Sequence, residues 1–485
     1  MRTASLAATA AVVITASIMT VLDMTIVNVA LNILATTFET SLATIAWVAT
    51  AYTLALATVI PVTAWAIGRF GAKRLYLGAI ALFAFGSLLT GLAWNVPSLI
   101  GFRIVQGLGG GMIMPIGMTI MMRAADPARM GRTMALMGIP VLVGPLAGPV
   151  LGGWLIDQAS WRWLFLINLP VAAVALLGAR RVLAGDPPAP AAKLDLPGLL
   201  LLSPGLAALI YGVATGGEHG DFTALSALLP TAAGVALIAG FVIRSRRVPR
   251  PLIDLDLFRH GPFRSAALTL GLFNAAYFGS MMLGPLYWQV VRGQGATEAG
   301  ILGIPQVLAT GITMQIAGRL VDRMPPRRLV LGGITVAATG FAAMTTQIHA
   351  DTEYWRIALA GVVMGIGVGA TIMPTITTAT RSLPSAQIPA ASTAVSIVQQ
   401  IAASIGAALI SVLLSNALVR EVPGAGLDTL AHRVSGDPAD LAETLAGAFR
   451  STYGWAVLVL TLALLPALLL PRGRAAGKAE EAAAR

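Results

Sequence analysis

The sequence predicts an all-α polytopic membrane protein, and three observations carry that prediction. Of its 485 residues, 56% are hydrophobic and only 11% are charged, with a mean hydropathy of +0.81. Soluble domains carry about a quarter charged residues, so a soluble fold of this composition would lack the polar surface to dissolve it. Fourteen apolar stretches approach or exceed the roughly 20 residues that one spanning helix needs. The basic residues, finally, fall almost entirely in alternate connections between those stretches, as they do in proteins threaded through a bilayer.

Taken in order, the predicted spans lie near 8–32, 46–67, 75–94, 99–122, 132–154 and 163–183. A pair follows at 196–216 and 225–243, then six more at 265–290, 299–320, 329–348, 356–380, 388–415 and 453–470. The first run mimics a secretory signal, with Arg2 ahead of an Ala-rich segment, but it is too long and continues through Asp23, so it reads as the first transmembrane helix. With the N-terminus in the cytoplasm, 25 of the 32 Lys and Arg residues fall on the cytoplasmic side. Arg162, Arg292, Arg356, Arg420, Arg433 and Arg450 fall outside, and Arg103 lies within a span. This asymmetry places both termini in the cytoplasm and the chain in the inner membrane. The net charge of +11 is therefore a topology signal, and no nucleic-acid partner is expected. Trp47, Trp94, Trp154, Trp161, Trp355 and Trp455 stand near span ends, the depth amphipathic rings prefer. The longest external connection is 416–452, with Pro423, Gly424 and Gly426; it reads as a plain surface loop.

Enzymatic classes recede on inventory. Four scattered histidines and no cysteine supply neither a metal cluster nor thiol chemistry, so no metal and no cofactor are expected. No G-x-x-x-x-G-K-[ST] loop is present, which removes that route to ATP hydrolysis. The turn-like Gly107-Leu108-Gly109-Gly110-Gly111 follows no strand and opens no βαβ unit, so it is not a dinucleotide site.

The chain repeats itself weakly. Gly68-Arg69-Phe70-Gly71-Ala72-Lys73-Arg74 follows the second span, and Gly318-Arg319-Leu320-Val321-Asp322-Arg323 follows the tenth. Ile113-Met114-Pro115 in the fourth span returns as Ile372-Met373-Pro374 in the twelfth. Two similar six-span halves with two helices between them explain this spacing, and duplicated halves place a binding site near the bilayer midplane.

Two charges stand out inside the spans. Asp23, in Leu22-Asp23-Met24-Thr25-Ile26-Val27-Asn28, is the one acid well inside a hydrophobic span; an aspartate at helix centre costs about 3 kcal/mol on insertion scales. It reads as a proton relay, the plain alternative being a protonated acid that ties two helices together. Arg103, in Phe102-Arg103-Ile104-Val105-Gln106-Gly107, is its matching cation, the alternative being a side chain that snorkels to water. In the fifth span Gly144, Gly148 and Gly152 recur every four residues and line one helix face for close approach. Pro140, Pro145 and Pro149 remove backbone donors and bend that helix. The methionines around Met114 suit either pocket lining or ordinary packing. Asn28, Tyr52, Asn274, Tyr277, Gln399 and Gln400 are the remaining candidates for a substrate cavity, with inter-helix contact as the alternative.

These residues, together with Trp161-Arg162-Trp163-Leu164-Phe165-Leu166-Ile167-Asn168-Leu169-Pro170 and Pro251-Leu252-Ile253-Asp254-Leu255, occur in an order that resembles the fourteen-span drug:proton antiporter branch of the major facilitator superfamily, the EmrB/QacA-like group. The resemblance spans essentially the whole chain, and the Gly144-Pro145 string is its most specific element. It implies a major facilitator fold: a six-helix bundle over 1–183, two linker helices and a cytoplasmic loop over 184–262, and a second six-helix bundle with a cytoplasmic tail over 263–485. It further implies proton-driven export of lipophilic small molecules by alternating access, with protons and the lipid bilayer as the other partners. Asp23 is then the proton-coupling carboxylate with Arg103 its charge partner, and Gly144, Pro145, Gly148, Pro149 and Gly152 form the hinge seam. Arg69, Arg74, Asp322 and Arg323 belong to cytoplasmic latch loops.

The chain departs from the pattern in three places. Asn32 stands where the family usually has proline at the end of the first-span motif, and Gly68 where the cytoplasmic loop motif usually has aspartate, which points to a weak or differently built first latch. The thirteenth span offers Gln399 and Gln400 and no carboxylate; one intramembrane acid cannot readily neutralise a dication and also carry protons. Neutral, zwitterionic or monocationic lipophilic substrates are therefore expected. Competing readings are a proton symporter or facilitator that imports a small metabolite, and a non-transporting membrane sensor. Whether a periplasmic adaptor is recruited leaves no mark in the sequence.

Overall fold

The computed structural model describes residues 5–126, 129–185, 193–249, 251–381, 383–421 and 438–473, and among them there is no β-strand. The helices sort into two compact units. Unit one comprises Met1–Leu209, Ala233–Leu257 and Leu383–Ile397; unit two comprises Ile210–Ala232, Phe258–Ser382 and Val398–Arg485.

The first nine helices belong to unit one: α1 (Leu6–Thr37), α2 (Leu42–Val59), α3 (Thr63–Phe70), α4 (Ala72–Gly91), α5 (Val96–Ala124), α6 (Met130–Ala135), α7 (Gly138–Gln158), α8 (Trp163–Leu166) and α9 (Asn168–Val182). Local chemistry sets their ends. Ser5 and Ser41 accept from the amides of Ala8 and Thr44, and Asn95 and Ser98 form a reciprocal capping box ahead of α5; each cap satisfies amides that a helix start leaves orphaned. Pro61 turns the end of α2 into a short 3-10 segment. Gly71, at φ 82°, joins α3 to α4 without a loop, a conformation open to a residue without Cβ.

α10 (Leu196–His219) and α11 (Leu225–Ser245) follow as a hairpin. Asp195 pins its base, accepting from Arg244 Nη2 at 2.7 Å, from the Gly198 amide at 3.0 Å and from the Leu252 amide at 3.3 Å. Burial pushes this carboxyl up, but the Arg244 hydrogen bond and charge and the two amides outweigh it and hold it below the usual aspartate value.

Unit two carries α12 (Gly261–Ser280), α13 (Leu283–Leu286), α14 (Ala296–Leu302), α15 (Ile304–Leu320), α16 (Pro326–Gln347) and α17 (Tyr354–Arg381), most of α18 (Ile388–Glu421), and α19 (Pro438–Ala467). On its surface Glu443 Oε1 meets Arg450 Nη1 at 2.6 Å and His349 Nδ1 at 2.8 Å. Arg450 also donates to the Ile348 carbonyl, which ties α19 to the α16–α17 connection.

Helices stand at all fourteen expected spans, and twelve of the described ones are long and apolar enough to cross a membrane. The other two positions are α7, with 21 residues, and α15, with 17 residues after the chain breaks at Gly303. The last helix begins earlier than its hydropathy suggests, at Pro438, so 438–452 is helical; 422–437 lies outside the described residues. Trp47, Trp94, Trp154, Trp355 and Trp455 are exposed on the protein surface, whereas Trp161 is buried with its ring edge-on to Phe38 and Phe165. Trp161 is thus a core residue rather than an interfacial anchor.

Candidate functional site

The two intramembrane charges meet. Arg103 Nη1 on α5 donates to Asp23 Oδ2 on α1 at 2.5 Å, and each residue is 1% exposed. Helix geometry brings them together. Asp23 lies on the face of α1 that packs toward α5 and α9, and Arg103 and Gln106, three residues apart, share one face of α5. An isolated charge at this depth is strongly disfavoured, so the pair persists because each partner is neutralised and hydrogen-bonded.

The remaining hydrogen bonds are nearly complete. Arg103 Nε donates to the Val48 carbonyl at 3.1 Å and Nη1 to Gln106 Oε1 at 2.8 Å. The guanidinium carbon lies 4.0 Å from the centroid of the Tyr52 ring and 5.6 Å from that of Phe165, a cation–π arrangement worth about 2 kcal/mol when desolvated. Asp23 Oδ1 accepts from Gln106 Nε2 at 2.8 Å and from Asn168 Nδ2 at 2.9 Å. Both amides also donate to Ser87 Oγ, at 3.1 and 3.0 Å, and Ser87 donates onward to the Phe165 carbonyl at 2.8 Å. Three buried side chains from two helices, Arg103 and Gln106 on α5 and Asn168 on α9, thus donate to one carboxylate.

The glycine stripe of α7 packs on the same stretch of α1. A methyl at Gly144 would overlap Val21 and one at Gly148 would overlap Thr25, the residues two before and two after Asp23. Thr25 Oγ1 lies 3.1 Å from the Gly144 carbonyl. Gly152 is buried; the side chains of Pro145, Pro149 and Asn28 lie outside the described residues.

The other expected residues are dispersed. Tyr52 is buried, but its ring serves Arg103, and its hydroxyl has no hydrogen-bond partner among the described residues. Met114, Tyr277, Gln399 and Gln400 are half-buried; Tyr277 stacks on Phe273. Asn274 is 0% exposed and neither amide atom has a partner among the described residues. Asp322 pairs with Arg381 at 3.4 Å, a partner the sequence did not suggest, while Arg69, Arg74 and Arg323 are exposed. Sequence reasoning missed Gln106 and Asn168 as carboxylate partners, and Ser87 as the hydroxyl that receives both amides. Gln106 carried a signal in its i+3 spacing from Arg103; Ser87 and Asn168 carried none beyond being polar within apolar runs.

Comparison with known proteins gives this arrangement a context. Residues 13–407 match the Major Facilitator Superfamily. The chain is 40% identical to the multidrug resistance protein B homolog of Mycobacterium tuberculosis, over 96% of this chain and 90% of that one. It is 30% identical to the multidrug export protein EmrB of Escherichia coli, over 83% and 78%. Among solved structures, the human organic anion transporter MFSD10 aligns with a TM-score of 0.60 at 14% identity, over 94% of this chain and 99% of that one, a likeness that speaks to the fold. The all-helical architecture and these relatives agree: the chain is a multi-pass membrane transporter of small molecules, belonging to the Major Facilitator Superfamily and, within it, to the EmrB/QacA-like group.

Proposed function

We propose that the protein is a proton-coupled antiporter that exports drugs or lipophilic metabolites across the inner membrane, with both termini in the cytoplasm. The reading rests on one observation above others: the Asp23–Arg103 pair is buried within the span that also bears the α7 glycine seam. Three donors meet this carboxylate, and protonation removes the charge that Arg103 answers. Each proton that enters Asp23 from outside therefore loosens α1 from α5 and biases the transporter toward the inward-facing state. Substrate binding there favours the ionised pair again, and the proton leaves to the cytoplasm. One charge moved is worth about 2.3 kcal/mol per 100 mV, enough for a substantial substrate gradient.

The division into bundles over 1–183 and 263–485 with linker helices over 184–262 belongs to this proposal, as do the α7 seam as hinge and the latch roles of Arg69, Arg74, Asp322 and Arg323. So does a substrate cavity drawing on Asn28, Tyr52, Met114, Asn274, Tyr277, Gln399 and Gln400. The single intramembrane acid favours neutral, zwitterionic or monocationic lipophilic compounds, and names of relatives such as "multidrug export protein" support an exported cargo. In energised everted vesicles, a transported compound is expected to release lumenal protons, and the Asp23→Asn protein, inserted equally well, is expected to release none. Concentrative export by that variant would sink the reading.

A further inference from the structure

We propose that Asn168 is the positioning residue that governs proton uptake at Asp23, by inverting its side-chain amide when the carboxylate is protonated. The inference rests on the antiport reading above and extends it to a residue on α9.

Among the described residues, the three groups that hydrogen-bond to the Asp23 carboxylate are all donors. Arg103 Nη1 serves Oδ2, while Gln106 Nε2 and Asn168 Nδ2 serve Oδ1. The amide orientations follow from their other contacts. Gln106 Oε1 receives an Arg103 N–H at 2.8 Å, and arginine has no acceptor to offer in exchange, so the Gln106 NH2 must face Asp23. Asn168 faces two acceptors, Asp23 Oδ1 and Ser87 Oγ, because the Ser87 proton is committed to the Phe165 carbonyl at 2.8 Å; the NH2 end alone fits there.

A proton on Asp23 changes that fit. The new O–H meets only N–H groups among these three partners, in a site where an unmade hydrogen bond is costly. Gln106 cannot turn its carbonyl toward the acid without setting its NH2 against Arg103. Asn168 can. Its Oδ1 would accept from the protonated acid, and the Ser87 hydroxyl would turn from the Phe165 carbonyl to the same oxygen. Asn168 is also the first residue of α9, directly after the break that follows α8, so the inversion acts at a joint between helices. Among the described residues, the charged or titratable groups that face Asp23 from packed elements are Arg103 on α5 and the Tyr52 phenol on α2; α7, α8 and α9 bring no charged side chain to it.

The test is the pH profile of substrate-triggered proton release in vesicles carrying the native chain, Asp23→Asn, Asn168→Ala or Ser87→Ala. Asn168→Ala removes both the donor to the ionised acid and the acceptor for the protonated one; the bond to the charged form is the stronger of the two, so the profile moves to higher pH, by up to about one unit. Ser87→Ala frees the Asn168 amide to invert and moves the profile the same way by less. Native and Asp23→Asn vesicles that behave alike would instead overturn the antiport reading. If they differ, and the Asn168→Ala and Ser87→Ala profiles superimpose on the native one or move to lower pH, the role of Asn168 is wrong. Should Asn168→Ala release no protons at any pH, Ser87→Ala decides alone: a shift to higher pH upholds the proposal and a native profile overturns it.

Discussion

The two units share a scaffold and differ in chemistry. In unit one, a Cβ on Gly107 would strike the Tyr52 carbonyl, one on Gly109 the Phe83 amide and one on Gly111 the Leu56 carbonyl; in unit two, Gly365, Gly367 and Gly369 stand in the same relation to Gln306, Ala337 and Thr310. Gly86 lies against Gln106 just as Gly340 lies against Met364. In this common register Arg103 corresponds to Gly361, Gln106 to Met364, Ser87 to Phe341 and Tyr52 to Gln306. The first helices follow suit. Gly148 meets Thr25 and Gly406 meets Ala275; two residues earlier stand Asp23 in one unit and Phe273 in the other. Close backbone approach thus requires glycine in both units, whereas the buried ions belong to unit one. Phe273, Phe341 and Met364 fill the equivalent space with apolar volume. The lesson is that the shared scaffold forms without charges at the matching places of unit two, which supports the coupling role proposed for the pair in unit one.

The sharpest way to break the comparison is to remove one ion. Arg103→Met leaves Asp23 buried without its cation, and breaking a buried pair costs about 3–5 kcal/mol. A large fall in melting temperature of the purified protein is expected, together with loss of proton-coupled transport. Scaffold substitutions, by contrast, should not distinguish the units. Gly109→Ala and Gly367→Ala each force a methyl into a facing backbone, at about 1–3 kcal/mol, and thermal melts are expected to fall by similar amounts. A drop confined to one of them would show that the register does not hold. Neutral partners separate the units again. Gln106→Leu strands an Arg103 N–H and removes one of the three hydrogen bonds to Asp23, costing about 1–3 kcal/mol; Met364→Leu at the matching place keeps volume and should cost less than about 1.5 kcal/mol.

The smallest effect lies outside the spans. Asp195, held below its usual value in the folded protein, contributes stability that is fully present above the unfolded aspartate value near 4 and is lost as pH falls through the folded one. Asp195→Asn should therefore lower the melting temperature slightly at pH 7 and by less near pH 3. An equal loss at both would assign the effect to packing instead.

Much of this was legible in sequence because bilayers impose long periods of apolar residues and make charges conspicuous. Asp23 and Arg103 stood out as lone ions in apolar runs, and the four-residue glycine spacing of α7 marked a seam before its partner was known. What sequence could not supply was which helix lies against which. Ser87 and Asn168 are neutral, and short-range patterns do not distinguish a member of a carboxylate network from a helix-packing polar residue. Tyr52 read as cavity lining and is found stacked under a guanidinium, because ring placement depends on the crossing of α2 and α5. The same holds for Asp322, whose partner Arg381 lies 59 residues along the chain. Hydropathy likewise merged α14 and α15 into one span, since Gly303 interrupts a helix without interrupting its apolar character.

The account stands on Asp23 being the group that exchanges the coupling proton. Adding a transported compound to purified protein in weakly buffered detergent solution, and counting protons with a pH indicator, tests that claim directly. The native protein is expected to release protons on substrate addition and the Asp23→Asn protein to release none while still binding the compound. Equal release from both would contradict the account and place the coupling proton elsewhere.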